Sequence, residues 1–207
     1  MIAARKLVAL AVVVVCALTV SVAFVSAQEN KPKQTPPMDE KAAMEMMQKL
    51  ATPGEGHKKL DVLVGSWNAK TTMWGDPSKP PEVSEGTSEH TWVLGGRYVE
   101  QRFEGKFMGM PFSGIGYTGY DNYKKRYVGV WMDTFGTAMF HTTGSFDASG
   151  KVLTSTGRMD DITTGKVTTI REKVTIVNKD ELLFEMWGPD PTGKDYLMMK
   201  IDYTRKM

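Results

Sequence analysis

The sequence is poor in the residues that staple or arm a small domain. Its single cysteine, Cys16, lies in an apolar stretch near the N-terminus, and the residue ahead of it, Val15, is bulkier than a lipoprotein signal wants. A mature chain starting beyond that stretch is expected to have no disulfide, no cysteine nucleophile and no cysteine-ligated metal. Histidine is scarce as well. His57, His90 and His141 are the only three, and no His-x-His or His-x-x-x-His spacing occurs, so neither a clustered metal site nor any other cofactor is expected. An excess of one charge is also lacking. The 26 Lys+Arg face 24 Asp+Glu, and setting aside Arg5 and Lys6 (26 − 2 = 24) leaves the two equal. Without a basic stripe to follow phosphates, nucleic acid is not an expected partner. No Gly-x-Ser-x-Gly elbow offers an activated serine, and no catalytic residue is assigned.

One long apolar run is present, from Leu7 to Val25, behind Arg5 and Lys6 and ahead of Val25-Ser26-Ala27. A basic start, an apolar core and small residues at a cut point make a secretory signal peptide. Residues 1–27 are therefore expected to be removed on export to the periplasm or the exterior, with no membrane contact afterwards. An uncleaved anchor is the alternative for a run of this length. Gln28 to Pro37 is polar and holds three prolines, which reads as a spacer. Asp39 is placed to cap a Met-rich helix through Ala51, ended by Thr52-Pro53-Gly54-Glu55-Gly56. Spacer and helix together make a 28–56 segment ahead of a 57–207 domain. Within that domain His57 to Val64 is a second short helical or turn segment, with Leu60, Leu63 and Val64 available to plug a core.

From Trp67 onward the pattern changes. About ten runs rich in Thr, Val, Tyr, Phe and Trp occupy 67–74, 84–94, 97–104, 110–119, 126–133, 137–146, 151–159, 166–177, 181–188 and 195–205. No helical run separates them, so parallel crossovers are excluded and hairpins are expected. Asp121-Asn122, Asp147 to Lys151, Thr163 to Lys166 and Pro191 to Lys194 supply the turns. In the eighth run Ile170, Val174 and Ile176 share one face, while Thr169, Arg171, Lys173 and Thr175 share the other. Ten sequential hairpin strands must hide their edges, and the expected fold is all-β: one antiparallel up-and-down barrel with short N-terminal helices.

Ordered motifs add a family likeness. His57-Lys58-Lys59-Leu60 with Gly65-Ser66-Trp67 comes first, then Trp92-Val93-Leu94-Gly95-Gly96-Arg97. Gly119-Tyr120-Asp121-Asn122, Tyr127 through Thr134 and Tyr203-Thr204-Arg205 complete the series. Together these resemble the bacterial family of domain of unknown function 1579. The resemblance implies a barrel similar to lipocalins, fatty-acid-binding proteins and haem-binding nitrobindins, without implying an activity. Nitrobindin-like proteins hold haem through a histidine in the last strands, and this chain has none there.

The residues leave three functions open. Strand aromatics and methionines suit a small apolar or amphipathic ligand in the barrel. The candidate pocket is Trp92, Arg97, Trp131, Asp133, His141 and Arg171, with an arginine as anchor for an acidic head group. An enzyme would use a carboxylate in the same cavity, from Asp133, Glu172 or Glu185. The further alternative is a protein-interaction role through the Met-rich helix, or a haem-binding barrel with His90 or His141 as the ligand.

Overall fold

A computed structural model describes residues 39–207 apart from 77, 162, 163 and 191. The signal peptide and spacer expected from the sequence, up to residue 38, lie outside these residues. Ten strands close into one barrel in which every neighbour in sequence is a neighbour in space, and β1 pairs with β10 to seal it. The strands are β1 Gly65–Met73, β2 Glu82–Val93, β3 Tyr98–Phe107, β4 Met110–Asp121, β5 Arg126–Asp133, β6 Phe140–Phe146, β7 Val152–Asp161, β8 Lys166–Asn178, β9 Glu181–Pro189 and β10 Asp195–Arg205. All ten pairings are antiparallel, so the expected meander is the observed one, and among the described residues no strand edge is left unpaired.

The turns work as their sequences suggest. The Asp121 carboxylate accepts from the amides of Tyr123 and Lys124 at 2.8 and 2.9 Å. That of Asp190 accepts from Thr192 and Lys194 at the same two distances. Gly193 follows at φ +88°, a conformation that a side chain resists.

One barrel end is plugged from the N-terminal side. Helix α1 (Glu40–Ala51) is capped by Asp39, which accepts from the amide of Ala42 at 2.9 Å. It buries none of its residues, and Met44 and Met47 are exposed. Asn122 ties its exit down by donating to the carbonyls of Leu50 and Thr52 at 2.9 and 2.8 Å. Helix α2 (Glu55–Lys58) and a 3₁₀ turn, Asp61–Leu63, then set Leu60 and Leu63 over the barrel mouth, Leu60 with no exposed surface. Gly56 lies so close to Tyr120 that a Cβ there would overlap the ring, while the Tyr127 hydroxyl donates to the Gly56 carbonyl at 2.9 Å.

The closure explains the motifs at the two ends of the domain. Trp67 stands opposite Arg205 in the β1–β10 register, and the guanidinium lies 4.2 Å from the indole centroid. Trp67, with no exposed surface, also donates from Nε1 to the Leu63 carbonyl at 2.9 Å. Arg205 reaches the Val64 carbonyl at 2.9 Å and that of Lys179 at 2.8 Å. Gly65 sits at φ +138°, and a Cβ there would fall on the Arg205 guanidinium. Glycine two residues before the tryptophan is thus required by the arginine packed on that tryptophan.

Candidate functional site

Side chains alternate across each strand, so the register fixes what the barrel encloses. Near the plug the inward positions are tightly packed. Trp67, Val99, Tyr127, Leu153, Leu182 and Tyr203 form one buried cluster with Leu60 and Leu63. Inside it runs a polar chain. Gln101 Nε2 donates to the hydroxyls of Ser88 and Tyr203, each at 3.2 Å, and Ser88 Oγ shares a 2.8 Å hydrogen bond with His90 Nε2. Burial pushes His90 down to about 4, so its imidazole is neutral at pH 7. Burial likewise raises the Tyr203 hydroxyl, helped by the nearby charge of Glu172. That hydroxyl accepts from Gln101, and no hydrogen bond donated by it is found among the described residues.

Further from the plug the wall changes. Trp131 on β5 lies against Gly114 and Gly116 of β4, Phe103 on β3 against Gly86 of β2, and Phe140 on β6 against Gly157 of β7. A Cβ at any of these glycines would collide with the ring resting on it. Large rings are thereby laid along neighbouring strands instead of across the barrel axis. Consistent with that, Trp131, Ser155, Glu172, Phe184, Met186 and Met199 share the inward face and yet are only half-buried.

Glu172 stands out among them. It sits between Ser155 of β7 and Met186 of β9 in register. No described residue gives its carboxyl a hydrogen bond or an ion pair. Desolvation alone pushes it up to about 7. Asp133, the other carboxylate on the inward faces of β5 and β8, is satisfied. It accepts from Trp131 Nε1 and from the Phe135 amide, both at 2.9 Å.

The six residues expected to form a pocket are not gathered together. Trp131 and Asp133 face the lumen. Trp92 is at the plugged end, donating from Nε1 to Asp61 at 2.9 Å, on a shallow groove with Pro53, His57 and Lys58. Arg97 ends the β2–β3 turn and donates to the Leu94 carbonyl at 2.9 Å. His141, between inward Phe140 and Thr142, points outward and is exposed. Arg171 also points outward, paired with Asp195 at 2.6 Å and lying 5.2 Å from the Trp187 centroid. Neither arginine can anchor an acidic head group in the lumen from these positions. Sequence reasoning named Glu172 only as a possible base, although it shares the parity of Ile170 and Val174 and so was legible as a carboxylate on an apolar face. Among the described residues no group of three His, Cys, Asp or Glu is placed to hold a metal ion, and no helix is long and apolar enough to cross a membrane.

Comparison with known proteins gives a family and a fold. The family model described as protein of unknown function (DUF1579) matches residues 52–205. No curated protein matches the chain. Among solved structures, Rv2717c from M. tuberculosis is similar at a TM-score of 0.57 and 15% identity, over 75% of this chain and 100% of that one. A redesigned β-barrel aligns over 76% of this chain and all of its own at 12% identity, with a TM-score of 0.38, too low to argue from.

Proposed function

We propose that this chain, which belongs to the DUF1579 family of proteins of unknown function, holds a small apolar or amphipathic molecule inside its barrel. The observation that carries this reading is the inward wall of Trp131, Glu172, Phe184, Met186 and Met199, which is only partly buried. A barrel filled only to hold itself together would bury those side chains as completely as it buries Trp67 and Leu60. Methionine and aromatic surface adapts to irregular apolar shapes, which suits a ligand more than a rigid core. The signal-like segment at 1–27 supports a place outside the cytoplasm for the same barrel.

Native mass spectrometry of the purified protein is the direct test. The expected spectrum holds one small-molecule adduct per chain after expression, or after incubation with dodecanol, and loses it on denaturation. Spectra that stay empty under gentle conditions with both preparations would sink the proposal. A reading in which Glu172 serves an enzyme as general base draws support from its raised protonation point. That reading also requires a molecule in the lumen, so retention is the earlier question.

A further inference from the structure

Resting on the reading of the lumen as a ligand site, we propose that the ligand's polar end is a cation, an amine or similar group, received by the Glu172 carboxylate. Strand parity puts Glu172 and Asp133 on the inward faces; the cations of the same parity are Lys166, exposed at the open end of β8, and Arg205, held on Trp67 at the plug, while Lys70, Arg171, Lys173 and Lys200 fall on the outward faces. Three of these outward cations are paired there, Arg171 with Asp195, Lys173 with Glu185 at 2.8 Å and Lys200 with Asp202 at 3.0 Å. His90, the imidazole inside, is neutral at pH 7. Asp133 already accepts two hydrogen bonds. Glu172 is left as a desolvated carboxyl that no cation pairs and no hydrogen bond reaches among the described residues, with the Tyr203 hydroxyl as the nearby polar group.

An unpaired carboxylate in such a place is unfavourable in the empty protein, and a chain gains nothing from keeping it unless something meets it. A ligand cation would turn that penalty into attraction, strengthened by the low local polarity. A ligand carboxylate would add a second negative charge in the same desolvated space. Phe184, Met186 and Met199 beside Glu172 would receive the apolar part. The chemistry selected is the reverse of a fatty-acid site.

Isothermal titration at pH 8 with dodecylamine, dodecanol and dodecanoate separates the possibilities. Dodecylamine should bind at least tenfold more tightly than dodecanoate. Glu172→Gln should abolish that preference, with circular dichroism showing that the variant is folded. Dodecanoate binding as well as the amine would overturn the head-group assignment and leave the lumen reading intact, as would a preference for the amine that survives in Glu172→Gln. Absence of binding by all three would overturn the lumen reading itself, and the assignment with it.

Discussion

Replacing Glu172 with Gln is expected to make the empty barrel more stable at pH 8, by about 2–3 kcal/mol in urea unfolding. The folded protein holds this carboxyl at about 7, against an ordinary value of 4.5. A folded value above the unfolded one means that the native state binds the extra proton between those two pH values. Stability from this group is therefore fully present below about 4.5 and is lost as pH rises through 7. A difference of that size corresponds to about 3 kcal/mol, the upper end for a side chain that keeps some access to solvent. His90 acts in the opposite sense. Its folded value of about 4 lies below the ordinary 6.5, so the unfolded chain takes up the proton first and stability falls as pH drops from about 6.5 to 4. The two effects overlap and are similar in size. The parent protein should show a nearly flat stability profile from pH 4.5 to 6.5, and Glu172→Gln should show one that rises with pH. A Glu172→Gln protein less stable than its parent at pH 8 would mean that the carboxylate is paired after all.

Trp67→Ala is the variant expected to do most damage. Removing a fully buried tryptophan costs about 3–5 kcal/mol through lost burial and the cavity left behind. Here it also strips Arg205 of the ring it lies on, frees the Leu63 carbonyl and loosens the β1–β10 seam. A domain of ordinary stability, about 5–15 kcal/mol, would be brought close to unfolding. Trp67→Phe keeps a ring for the guanidinium and loses the indole donor, so its cost should be nearer 1–2 kcal/mol. Circular dichroism melts of the two variants check the ordering. Equal losses would show that neither the stacked arginine nor the buried ring volume sets the strength of the closure.

The barrel was legible because its signals are local. Alternating runs and Asp- or Gly-centred turns each span fewer than about a dozen residues, and β5 and β10 begin and end where the runs 126–133 and 195–205 do. The family motifs were legible as words but not as roles. Gly65-Ser66-Trp67 and Tyr203-Thr204-Arg205 lie at opposite ends of the domain, and only the closed register brings tryptophan and arginine together. The candidate site was harder for a different reason. Arg171 and His141 were chosen by chemical type, yet the alternation in their own strands sends them outward. Glu172 stands in the sequence only beside Asp133 and Glu185 as a possible base, because its significance lies in the lack of a partner, which no single sequence records. Glycines 114 and 116 carry no role that the sequence reveals, and the ring of Trp131 resting on both supplies it.

The central claim is that a ligand enters the barrel between Glu172 and the methionines beside it. Carbon-13 methyl spectra of the fifteen methionines, recorded while dodecanol is added, test it most directly. Met186 and Met199 should shift together and saturate at one equivalent, while Met44 and Met47 on the exposed helix stay still. Shifts confined to surface methionines, or spread over all of them without saturation, would contradict a site inside the barrel.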